Sequence, residues 1–166
     1  MTLSIIVATD EAGAIGLRGG LPWDHPEDRA HFERETRGHA VIMGRRTWEE
    51  VGQPLEGRAN VVVSSRFTPP AGVLVAPTLA EAVARARELD PSPFVIGGAR
   101  LFRDAAAIAD QVWLTEIPGR HEADAFFVLD EGVSTREALE ARGFEVVEDR
   151  LGEGGVRFVR LVRGRG

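Results

Sequence analysis

The chain has 166 residues, a formal charge of −6 and no cysteine. That length suffices for one domain with its own core, without disulfides or a structural metal, and the acidic balance argues against a nucleic-acid or anionic-membrane partner. Tyrosine and lysine are missing too, so a thiol nucleophile, a thiolate metal site, a lysine Schiff base and a tyrosine general acid are all excluded.

Apolar, β-branched runs alternate with helical patterns, which predicts an α/β sheet. The first strand is read over residues 3–9. A glycine-rich flap follows, from Ile15-Gly16 through Gly19-Gly20 to Leu21-Pro22-Trp23, and leads into a helix over about 26–37. Next come a strand at 40–43, a helix at about 46–51 and a strand at 60–64. A loop at 65–72 contains Pro69-Pro70, and a strand at 73–75 follows it. Thr78 with Glu81 forms a capping box for a helix over 78–89, and Pro91 and Pro93 end it. A strand at 94–96, a helix at about 99–108 and a strand at 111–117 complete the alternation. The early strands are continuous apolar runs, as expected of a sheet covered on both faces. Residues 144–151 and 156–162 flank Gly152-Glu153-Gly154-Gly155 and read as an antiparallel hairpin. The expectation is a single domain over 1–166, with a central, mostly parallel sheet of about eight strands, flanking helices and an antiparallel C-terminal edge. No apolar run is long enough to span a bilayer and the N-terminus lacks the charged region of a signal peptide, so a soluble cytoplasmic protein is expected.

Three segments carry chemistry. Asp28 opens the helix after the flap, with Phe32 one turn later on the same face. An acid in a first helical turn ordinarily just offsets the helix dipole, but a carboxylate beside an aromatic ring can also bond and stack on one flat heterocycle. Met43-Gly44-Arg45-Arg46-Thr47 follows a strand and opens a helix. Two arginines there are unremarkable as solvated charge, yet a helix N-terminus with guanidinium groups also suits a phosphate. Gly97-Gly98 is a second strand-to-helix turn whose free N–H groups suit a pyrophosphate. The chain has no GxGxxG fingerprint, so a Rossmann reading fails. The histidines at 25, 31, 39 and 121 lack metal-ligand spacing and are expected at the surface, with no metal bound.

Taken together and in order, the flap with Asp28 and Phe32, MGRRTWE at 43–49 and VIGGARLF at 95–102 resemble the dihydrofolate reductase family, from Leu3 to about Phe127 and more weakly beyond. The resemblance implies NADPH-dependent reduction of dihydrofolate by a monomer, with hydride passing to C6 of the pterin as N5 gains a proton. It implies a substrate site of Ile6, Val7, Asp28, Arg29, Phe32, Leu55, Ile96 and Thr115, with Arg58 holding the α-carboxylate of the glutamate tail. Asp28 would orient the pterin with Thr115 in support, and Leu21 and Trp23 would belong to the shielding flap. The implied cofactor site begins with Ala8, Ile15, Gly16, Gly20 and Leu21. Gly44, Arg45, Arg46 and Thr47 would meet the phosphates. Ser64, Ser65 and Arg66 would meet the adenosine 2′-phosphate, a preference for NADPH over NADH. Ile96, Gly97, Gly98, Ala99, Arg100, Leu101 and Phe102 would complete it. Asp124 and Phe127 resemble a loop that contacts the flap.

Some positions depart from the family pattern. Leu21 stands where methionine is frequent, and Phe102 where tyrosine is common. Arg29 sits at an often apolar position, and Gln53 where some members carry a second arginine. A riboflavin-pathway pyrimidine reductase shares the implied fold and cofactor but would not be expected to keep the flap, Asp28 and Phe32 together. A non-catalytic folate or nucleotide binder has no need of a water-excluding flap.

Overall fold

Apolar stretches just long enough for a buried strand recur along the chain, and in the computed structural model, which describes residues 1–164, they pair into one eight-stranded sheet. The first strand, β1 (Ser4–Thr9), has its side chains almost wholly buried, and β3 (Ala40–Gly44), β4 (Ala59–Val63), β5 (Val73–Ala76) and β6 (Phe94–Gly97) run parallel to it. Strand β7 (Gln111–Glu116) pairs parallel with β1 along its whole length, from Ser4 opposite Gln111 to Thr9 opposite Glu116. The hairpin of β9 (Phe144–Leu151) and β10 (Arg157–Arg163) adds the antiparallel edge, with β10 against β7. Spatial order is β5-β4-β3-β6-β1-β7-β10-β9.

Alternation sends side chains to opposite faces. Ile5, Val7, Ile42, Val61, Val95 and Leu114 meet the helices α3 (Leu79–Leu89) and α4 (Ala99–Ala106) on one face. On the other, Ile6, Val41, Met43, Val62 and Phe94 pack with Trp48 of α2 (Arg45–Val51) and with Phe32 of α1 (Pro26–Thr36). The Thr78 hydroxyl caps α3 by accepting from the Glu81 amide at 3.2 Å, as its sequence signal predicts.

Three elements lie outside the sequence reading. Strands β2 (Ala14–Gly16) and β8 (Ala125–Phe126) form a separate two-stranded ribbon, and α5 (Thr135–Ala141) precedes the hairpin. The expected surface placement of the histidines is corrected as well. His31 is buried, with its ring 4.8 Å from that of Phe158, and burial pushes its imidazole below the usual histidine pKa. His39 and His121 are half-buried against the carboxylates of Asp90 and Asp10.

Candidate active site

Parallel strands that turn into helices leave a crevice beyond their carboxyl ends, where neighbouring connections part to opposite faces. Here that crevice is a cleft of about 1180 Å³ beyond the ends of β1, β3 and β6. Nearly every residue expected at a site borders it. Ile6, Val7 and Ala8 come from β1, Asp28, Arg29 and Phe32 from α1, and Thr115 from β7. Ile15, Gly16, Gly20 and Leu21 come from the flap, and Leu55 from the loop after α2. Gly44, Arg45, Arg46, Thr47, Ser64 and Ser65 line the far half, opposite the run from Ile96 to Phe102.

Asp28 is positioned by the start of α1. Pro26 occupies the first turn, where a missing N–H costs nothing, and the Asp28 amide donates to the His25 carbonyl at 3.0 Å. The residue is 9% exposed. Burial therefore pushes its carboxyl above the ordinary value of 3.8, opposed by a hydrogen bond from the Thr115 hydroxyl and by the nearby His25. The other buried carboxylates, Asp10 and Asp90, lie away from the cleft, so Asp28 is the buried acid facing it among the described residues. Arg29, on the exposed edge of the cleft, pairs with Asp24.

The far half is built by close backbone approach. A Cβ on Gly97 would stand 3.3 Å from the Thr47 hydroxyl, and one on Gly98 would stand 3.4 Å from it. Gly97 has φ +139, a conformation open to glycine, and the Gly97–Gly98 peptide is cis. The two strand-to-helix turns thus meet closely at the Thr47 hydroxyl. Arg45, Arg46, Arg100 and Arg103 border this half, a cationic rim suited to phosphates. Arg45 is held by Glu49 at 3.1 Å and by the Arg66 carbonyl at 3.1 Å. A dinucleotide carrying phosphates therefore fits the residues present, in charge and in backbone access.

The flap contains a tight reversal. Leu17 and Gly20 exchange both backbone hydrogen bonds at 2.9 Å, with Arg18 and Gly19 at positive φ between them. The Asp124 carboxylate accepts from the Arg18 amide at 2.9 Å, and its own amide donates to the Gly16 carbonyl at 2.9 Å. Flap and 124–127 segment are therefore tied to each other, and Phe127 is fully buried beneath them.

Three expected site residues do not border the cleft. Trp23 turns away and packs with Ile117, Val156 and Phe158, its ring 5.3 Å edge-on from that of His121. Arg66 contributes its carbonyl to Arg45 rather than a side chain to the wall. Arg58 is sunk to 4% side-chain exposure, and Glu33 borders the cleft beside it. Other lining residues escaped the sequence reading. Pro77, Thr78 and Leu79 close the far end at the β5-to-α3 turn, which has the same strand-to-helix pattern as the two turns that were singled out. Glu33 and Arg103 are single charges on helices, and nothing local marks them.

A family model described as dihydrofolate reductase matches residues 2–139. A dihydrofolate reductase of Haemophilus influenzae is 39% identical over 127 residues, covering 76% of this chain and 79% of that protein. The type 3 dihydrofolate reductase of Salmonella typhimurium is 41% identical over 76% of this chain and 78% of its own length. That of Bacillus subtilis is 38% identical over 75% and 74%. Among solved structures, the dihydrofolate reductase from Enterococcus faecalis complexed with NADP(H) and RAB-propyl superposes with a TM-score of 0.84 at 27% identity. The match covers 99% of this chain and 97% of that one.

Proposed function

This chain belongs to the dihydrofolate reductase family, and we infer from that membership and from its cleft that it reduces 7,8-dihydrofolate to 5,6,7,8-tetrahydrofolate with NADPH. The observation that carries the reading of the site is Asp28, a buried carboxylate facing the cleft one turn before Phe32.

When bound, NADPH supplies the hydride. The protein must meet a different need, because N5 of the pterin is a weak base and the site has to exclude bulk water while N5 gains a proton. Asp28 accepts hydrogen bonds from the 2-amino group and N3, which fixes the ring and favours its protonated form. Thr115 holds the carboxylate in that orientation, and Phe32, Ile6, Val7 and Ile96 supply the apolar walls. Arg29 and Leu55 border the benzoyl part of the substrate, and Arg58 serves the tail carboxylate.

Thr47, the Gly97-Gly98 turn and the arginines at 45, 46 and 100 hold the cofactor phosphates. Ser64 and Ser65 meet the 2′-phosphate with Arg45, which Arg66 steadies through its carbonyl. Ala8 and Ile15 offer backbone groups to the carboxamide. Gly16, Gly20 and Leu21 cover the nicotinamide end, and Trp23 anchors the base of that flap against Ile117 and Phe158.

Residues 1–166 form a single domain, and the protein acts as a monomer, in the cytoplasm and without a nucleic-acid partner. The formal charge of −6 supports the last point, and no helix among the described residues is long and apolar enough to cross a membrane.

Loss of NADPH absorbance on adding dihydrofolate to the purified chain tests the reading. A chain that binds both compounds without turnover, or that turns over only a ribosylaminopyrimidine, would refute it.

A further inference from the structure

An arginine cannot shed its charge, so a buried guanidinium needs a partner of opposite sign. Arg58 finds three acceptors among the described residues. Its Nε donates to the Glu56 carbonyl at 2.8 Å, and its Nη1 lies 3.1 Å from the Thr36 hydroxyl and 3.0 Å from Glu33 Oε2. Glu33 alone among these carries charge. Its side chain is 44% exposed and borders the cleft, whereas Arg58 does not. The same Glu33 oxygen lies 3.7 Å from Nη2 of Arg37, which is 70% exposed and follows the last residue of α1.

From this arrangement we propose that Glu33 is a specificity-determining residue, an internal carboxylate that competes with the carboxylate of the substrate's tail for Arg58. The inference rests on the reading of the cleft as a dihydrofolate site. An anion arriving at this end meets a cation already neutralised, with a negative charge standing in front of it. To reach Arg58 it must displace Glu33, whose carboxylate then swings to Arg37. A pterin without a tail carboxylate makes no such exchange. Glu33 therefore narrows the chain's preference for anionic tails while keeping Arg58 paired when no ligand is bound.

The test uses the full chain, its Glu33→Gln variant and its Glu33→Lys variant. Dissociation constants for dihydrofolate and for dihydropteroate, the same pterin without the glutamate, are read by quenching of tryptophan fluorescence. Glu33→Gln should raise the preference for dihydrofolate over dihydropteroate by about threefold or more, and Glu33→Lys should raise it further, with the gain shrinking as salt is added. An unchanged ratio would mean that the tail carboxylate does not contend with Glu33. A lowered ratio would mean that Glu33 holds Arg58 ready for the tail. Either overturns the proposal. Turnover by the unsubstituted chain is a separate readout. Its absence would sink the reductase reading itself, whereas a flat ratio in an active enzyme sinks only the role of Glu33.

Discussion

Replacing Asp28 by asparagine should make the protein more stable and a worse enzyme. Asp28 has lost nearly all its water, at 9% exposure, and the Thr115 hydroxyl and the nearby His25 offset that burial only in part. Because its folded-state pKa is raised, ionising it costs more in the folded chain than in the unfolded one, and at neutral pH that difference weighs against folding. Asparagine keeps the shape and an acceptor for Thr115 while removing the charge. The expected gain is about 1–2 kcal/mol near neutral pH. In a chain of this length, ~1 kcal/mol corresponds to ~2–4 °C in melting temperature, so the variant should melt about 2–8 °C higher. The pH dependence carries the sign. The gain is full above the raised pKa and shrinks as pH falls through it, and it vanishes below about 3.8, where the carboxyl is neutral in both states. Thermal unfolding followed by circular dichroism across that range decides the matter. A variant that melts at or below the parent temperature at neutral pH would refute the argument that burial dominates at this acid.

The same substitution should slow single-turnover hydride transfer at neutral pH, and the variant's rate should climb as pH falls and the substrate arrives already protonated; a pH-independent loss would remove Asp28 from that role. Asp10→Asn should have the opposite effect on stability. Burial alone would raise the Asp10 pKa, but bonds from the amides of Ala14, Ala12 and His121 and from the His121 ring hold it below 3.8, so the variant should lose roughly 2–4 kcal/mol at neutral pH. That loss should fade as pH drops below 3.8 in denaturant titrations. NADPH should bind at least about tenfold more tightly than NADH, a margin that Arg45→Leu should erode in fluorescence titrations. Arg58→Leu should raise KM for dihydrofolate far more than for dihydropteroate, and equal penalties on both would mean that Arg58 does not serve the tail.

What could be read from the sequence divides along physical lines. Strands such as those read at 40–43 and 60–64, observed as Ala40–Gly44 and Ala59–Val63, are legible because a sheet buried on both faces demands unbroken apolar runs. The turns at Gly44 and Gly97-Gly98 are legible because a strand, a glycine and a helix leave few alternatives. The β2–β8 ribbon has strands of three and two residues, too short for any pattern, and it exists through pairing and the Asp124–Arg18 contact. Helix α5 did carry a signal, since the Ser134 hydroxyl accepts from the Glu137 amide at 3.2 Å, a capping pattern like that of Thr78 and Glu81. Trp23 and Arg58 show the harder limit. Their neighbours in sequence belong to the site, but partners distant in sequence decide where each side chain goes, Ile117 and Phe158 for one and Glu33 for the other.

Strand β6 lies between β1 and β3 in space but follows both in the chain. A nascent polypeptide leaving the ribosome therefore holds a lone β1 and a β3–β4–β5 fragment with no seam between them until residue 97 has emerged. Until then bare strand edges face the solvent, and late, long-range parallel pairing makes this the slow and aggregation-exposed stage of folding. Small molecules that grip both sides of the seam can be retained only by chains that have closed it. Their presence during synthesis or refolding would draw the population forward by mass action, so the supply of ligand would help to set the yield of folded protein.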